Sequence, residues 1–138
     1  MKISYQAIIK PSSSGSGFYV EFQDLSEAFT QGETMQEALF NASEVLDLTL
    51  EGRLEDNREI PEPKEYEGGT WVYPSPQVQA ALLVRFSRQG RSLAELARAL
   101  GTSWPSAQRL EDPKHSPTLK QLDRAAAALG KSLVLSFE

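Results

Sequence analysis

The chain has 138 residues, 40% of them hydrophobic, with no cysteine and one histidine, His115. That supports one medium domain or two small ones. It excludes disulfides and thiolate metal sites, and any zinc site or Ser–His–Asp triad not built on His115 alone. The net charge of −5 is uneven: residues 1–73 hold five Lys/Arg against fourteen Asp/Glu, a net of −9, and residues 74–138 hold nine against five, a net of +4. Such asymmetry points to two surfaces with two kinds of partner.

The opening residues MKISYQAIIKP carry a single lysine and then alternate, unlike the apolar block of a secretory signal. Residues 2–9 place Ile3, Tyr5, Ala7 and Ile9 on one face, a period of two that predicts a strand. PSSSGSG (11–17) reads as a turn or flexible loop. FYVEFQ alternates again through Phe18, Val20 and Phe22, so an antiparallel hairpin is expected, with a short third strand near Ala28–Thr30 after the turn DLSE. The period then changes. Met35, Ala38, Leu39, Ala42, Val45, Leu46 and Leu50 recur at helical spacing, with Thr34 as N-cap, Glu37 completing a capping box and Gly52 as a stop or Asp56 as a frayed end. The Pro- and Gly-containing stretch 60–69 is not regular throughout, and TWVY (70–73) reads as a fourth strand. PSP (74–76) ends the unit, so the expected domains are 1–73 and 74–138.

From Gln77 the pattern is helical. Val78, Ala81, Leu82 and Phe86 form one stripe, closed by Gly90. SLAELARALG (92–101) is a second helix with Ser92 as N-cap, Glu95 at the capping-box position and Gly101 as C-terminal cap. SWPSAQRLED (103–112) is a short third helix. Its proline falls in the first turn, where no intrahelical hydrogen bond is lost. TLKQLDRAAAALG (118–130) is a fourth, and SLVLSF (132–137) reads as a terminal strand, a candidate dimer element because a lone strand needs a pairing partner. No apolar run approaches the roughly 20 residues of a membrane span. No membrane partner is expected, and the cytoplasm is the expected compartment.

The helix–GTS–helix order, with small Ala97 where two helices cross, is a helix-turn-helix arrangement. LAELARALGTSWPSAQRL together with TLKQLDRAAAALGKSL resembles the lambda-repressor-like (XRE, Cro/cI-type) DNA-binding domain over roughly 76–131. The resemblance implies a reading helix presenting Ser103, Trp104, Ser106, Gln108 and Arg109. Phosphate contacts would come from Arg91 and Ser92 and, around the fourth helix, from Lys114, His115, Thr118 and Lys120. Where family members often carry Gln, this sequence has Leu93 and Trp104. Trp104 makes no bidentate contact to adenine. It either packs on a thymine methyl or sugar or is buried in the protein. A degenerate version of the motif, used only to dimerise, is the alternative. Half-sites in this fold are normally read by dimers, so a homodimer, or a tetramer of two, on double-stranded operator DNA is expected.

The first half, through Phe22, Asp24 and Leu25 (F-x-D-L), TQGET (30–34), EAL-x-N-A (37–42) and the EDN…IPEP segment, resembles the HicB-like antitoxin domain, a truncated RNase H-like fold. The fold class expected for the whole chain is α+β: a β-β-β-α-β domain followed by an all-α helix-turn-helix domain with a terminal strand. The resemblance implies that the acidic half binds a small basic HicA-type toxin, an mRNA-cleaving ribonuclease, with Glu21, Asp24 and Glu27 near the sheet edge as candidate contacts. It further implies that the basic half represses the operon. Asp24, Glu27, Glu33 and Glu37 are not read as a two-metal nuclease set. Glu33 and Glu37 bracket a helix start, and Asp24 is in a turn that favours Asp. No enzyme activity and no cofactor are expected. The rival readings are a repressor that senses a small ligand and a metal-dependent nuclease.

Overall fold

The computed structural model describes all 138 residues, which divide into two compact units, Met1–Ser75 and Pro76–Glu138. In the first, β1 (Tyr5–Pro11), β2 (Phe18–Phe22), β3 (Leu25–Gly32), α1 (Met35–Glu55) and β4 (Thr70–Val72) follow in order. The sheet is wholly antiparallel, in the order β3-β2-β1-β4. The registers Ala7↔Phe22, Ile9↔Val20, Val20↔Thr30 and Tyr5↔Val72 put the buried residues on one face, where α1 lies chiefly across β3. Ala38, Ala42, Leu46 and Leu50 of α1 are fully buried, as are Tyr5, Ala7 and Val20 of the sheet. Each large aliphatic side chain removed from water there stabilises the unit by about 1.5–3 kcal/mol.

The third strand is longer than the three residues expected. It starts at Leu25, directly after a tight turn, and a bulge between Glu21 and Phe22 breaks the alternation that would have revealed it. Thr34 caps α1 by accepting from the Glu37 N–H at 3.1 Å, and only that half of the expected box forms. Gly52 does not stop the helix: its carbonyl accepts from the Asp56 N–H, and the helix runs to Glu55. Residues 60–69 are irregular but pinned. The Tyr5 hydroxyl donates to the Pro61 carbonyl at 2.7 Å, and the Tyr66 N–H donates to the buried Gln6 side chain. Burial raises the Tyr5 phenol well above its ordinary pKa.

The second unit holds α2 (Pro76–Arg88), α3 (Leu93–Leu100), α4 (Trp104–Arg109) and α5 (Leu119–Ala128). Val84, Leu96, Ala97, Ala107, Ala125 and Leu129 form its core, with Leu93, Leu100, Leu110 and Leu122 at the margin. Ser92, Ser103 and Thr118 cap α3, α4 and α5; Ser92–Glu95 and Thr118–Gln121 close full capping boxes. Gly101 at φ 66° supplies the left-handed residue that ends α3 and redirects the chain into α4. Leu119, at the start of α5, is exposed, and Ala125, about one and a half turns on, is buried in the core.

The terminal strand expected over 132–137 does not form within the chain. Residues 131–138 pair with no strand, and Val134 (82% exposed), Leu135 and Phe137 project into solvent. The unit is otherwise helical and offers no edge for them to join.

Candidate functional site

Of the three acids expected to meet a partner, the structure commits two internally. Asp24, in the β2–β3 turn, accepts from the Tyr66 hydroxyl and from the Lys64 N–H at 3.4 Å, fastening the irregular segment to the sheet. The bond to Asp24 raises the Tyr66 phenol pKa. Glu27 forms a two-pronged pair with Arg53, at 2.6 and 2.8 Å, and Arg58 approaches it at 3.8 Å. Arg53 also donates to the Glu59 carbonyl, so it joins β3, the end of α1 and the chain beyond. Glu21 alone is loosely held, 3.9 Å from Lys10 on the open face of the sheet.

The Arg53 hydrogen bonds hold the Glu27 carboxyl at about 2, below its ordinary 4.5. A depressed carboxylate stabilises the fold above its unfolded pKa, and that contribution disappears as pH falls from 4.5 toward 2. The Glu27 side chain is 39% exposed, so water and salt screen the pair and it contributes no more than about 1 kcal/mol. Glu27→Gln is therefore expected to lower the melting temperature modestly at pH 7, with the gap from wild type closing below pH 4.5. Thermal melts across pH read this directly, and a gap independent of pH would contradict it.

In the second unit, α4 buries Ala107 and turns Trp104, Pro105, Gln108 and Arg109 outward. Trp104 is 48% exposed, so of its two expected placements the buried one does not occur in the chain. Ser106 is half-buried and faces a small cleft with Leu100, Thr102, Leu110, Gln121 and Arg124. Ser92, Ser103 and Thr118 are exposed, but their hydroxyls cap helices, accepting from the N–H groups of Glu95, Ser106 and Gln121. Arg91 is also partly spent: its guanidinium donates to the carbonyls of Ser87, Arg88 and Leu129, closing the ends of α2 and α5. Lys114, His115 and Lys120 are exposed, with His115 3.6 Å from Asp112.

A family model, described as the HicB-like antitoxin of bacterial toxin–antitoxin systems, matches residues 4–80. The chain belongs to the HicB-like antitoxin family. It is 33% identical to antitoxin HicB 1 of Photorhabdus laumondii, over 97% of this chain and 86% of that protein. It is 34% identical to antitoxin HicB of Escherichia coli K12, over 95% of this chain and 96% of that one. A second Photorhabdus laumondii antitoxin, HicB 2, is 38% identical over 87% of each chain. The similarity to these antitoxins therefore runs well past the matched residues and through α3–α5.

One cluster in this antitoxin escapes a reading of its sequence. Arg88 and Glu111 form a two-pronged ion pair between α2 and the end of α4, with side chains only 19% and 9% exposed. Arg88 also donates to the Arg91 carbonyl at 2.6 Å and thereby fixes the turn that leads into α3. The partners lie 23 residues apart, and no local spacing announces them. No three His, Asp or Glu side chains converge as metal ligands, and no helix is long and apolar enough to cross a membrane.

Proposed function

We propose that this antitoxin divides its work between its units: Met1–Ser75 binds and neutralises a HicA-type, mRNA-cleaving toxin, and Pro76–Glu138 binds the promoter of the operon as a homodimer and represses it. The observation that carries the reading is the outward face of α4. A six-residue helix anchored by one buried alanine directs Trp104, Gln108 and Arg109 away from its own core. The α3–turn–α4 pair is the helix-turn-helix of this proposal. The unit that holds it has a net charge of +4, which favours the phosphate backbone. The remaining residues, at −9, favour a cationic protein and repel DNA. The exposed terminal segment supplies the dimer contact.

Within this reading Trp104 packs on thymine methyls or sugars, while Gln108 and Arg109 reach base edges or phosphate. Lys114, His115 and Lys120 lie where phosphates pass. Ser92, Ser103, Ser106 and Thr118 contribute mainly by fixing helix starts, and Arg91 by holding the turn. On the first unit, Glu21 is the one of the three expected acids free to meet a partner. A gel-shift titration of the operon promoter tests the DNA half. Arg109→Ala is expected to weaken binding by about 1–3 kcal/mol without changing the melting temperature. Unchanged binding removes Arg109 from the reading face. Growth rescue tests the other half: deletion of 1–73 is expected to abolish neutralisation of the toxin.

A further inference from the structure

The outer face of α1 has a pattern that neither the fold nor DNA binding uses. At 100° per residue, Glu37, Phe40, Glu44, Leu48 and Glu51 fall in a stripe about 80° wide, directly opposite the buried row Ala38, Ala42, Leu46 and Leu50. Phe40 is 65% exposed and Leu48 is 68% exposed. A single exposed apolar residue needs no explanation. Two large ones interleaved with three carboxylates on one helix face are a different matter. None of those carboxylates has an ion-pair partner, and the one cation of the helix, Arg53, is turned to Glu27 and the Glu59 carbonyl.

We infer that this stripe is the docking surface for the toxin, which meets it through a cationic face with apolar pockets for Phe40 and Leu48. The inference rests on the toxin-binding role proposed above for the first unit. Charge selects the occupant. DNA is repelled by three like-signed carboxylates. A second copy docking by the same stripe across a two-fold axis would set the carboxylates against themselves. The open face of the sheet also exposes aromatics, Tyr19, Phe29 and Trp71, but Lys2 and Lys10 lie among them, so its charge is mixed. Within the first unit, only α1 combines exposed apolar anchors with charge of one sign. Apolar side chains ringed by charged groups match the apolar-core, polar-rim anatomy of protein interfaces.

The test uses the full chain and a separately purified HicA-type toxin, with affinity measured by calorimetry. Phe40→Ser with Leu48→Ser is expected to weaken binding at least about thirtyfold. Glu44→Lys with Glu51→Lys is expected to do the same and to flatten the salt dependence. Glu67→Lys, in the turn before β4, is expected to change affinity less than about threefold. Phe40, Glu44 and Leu48 are exposed and Glu51 is half-buried with no ion-pair partner, so the melting temperature should stay within a few degrees of wild type. Wild-type binding with both α1 variants unaffected overturns the surface alone. Absence of binding by the wild-type chain overturns the toxin pairing and the surface with it. Loss of self-association in sedimentation, with toxin affinity unchanged, assigns the stripe to a second copy and overturns the inference.

Discussion

Gly32→Ala is expected to cost the first unit about 3 kcal/mol, enough to lower its melting temperature by roughly 12–24 °C. The glycine ends β3 where the chain turns into α1. A Cβ added there lies 2.7 Å from the Ala38 Cα and 2.8 Å from the Glu37 carbonyl carbon. Both are backbone atoms of the first turn of α1, so nothing swings aside as a flexible side chain would. The helix must lift from the strand, and Ala38, Ala42, Leu46 and Leu50 lose their seat on the sheet. Gly17 tightens the same spot, since its own position would bring a Cβ within 2.8 Å of the Gly32 carbonyl oxygen. Gly15→Ala is the control. Nothing lies within 4 Å of Gly15, so only the strain of φ +94° is felt, about 1–2 kcal/mol. Thermal melts of the two variants should separate clearly; equal shifts would show that strand–helix distance is not what Gly32 protects.

The elements of this antitoxin were legible wherever one local rule decided them. Alternation around Val20 and Phe22 marked β2, helical spacing from Ala38 to Leu50 marked α1, and Ser92, Ser103 and Thr118 marked three helix starts within a residue. Failures came where distant residues decide. The commitments of Glu27 to Arg53 and of Asp24 to Tyr66 span 26 and 42 residues, so two acids that looked available are internal fasteners. Arg91 read as a free cation because the carbonyl it reaches at Leu129 lies 38 residues on. The α1 stripe is a different case. Its spacing was in the sequence, but acids at helical intervals also describe an ordinary solvated face. Only the exposure of Phe40 and Leu48 among them separates the two readings.

If the chain is the operator-binding homodimer proposed above, removal of residues 132–138 is expected to leave it a monomer and to weaken operator binding at least about a hundredfold, while the second unit keeps its fold. The tail is dispensable to that fold because the core is made by α2 to α5, with none of its buried members beyond Leu129. It is costly to leave alone in water, with Val134, Leu135 and Phe137 all exposed. Leu133, Leu135 and Phe137 alternate as a strand does, yet the unit offers no strand to pair with them. In the proposed dimer the same segment of a second copy, running antiparallel, would satisfy the backbone groups of both and bury the apolar side chains together. The two-fold axis of that proposed dimer would present two α4 helices to half-sites about 34 Å apart. A monomer contacts one half-site and about half the phosphates, so the dependence of affinity on salt should fall by about half along with the affinity. Sedimentation equilibrium and gel shifts at two salt concentrations measure both effects. Leu135→Asp with Phe137→Asp, which keeps the chain length, should reproduce them. A truncated chain that remains dimeric and binds the operator at wild-type affinity would show that the reading helices are paired by another surface.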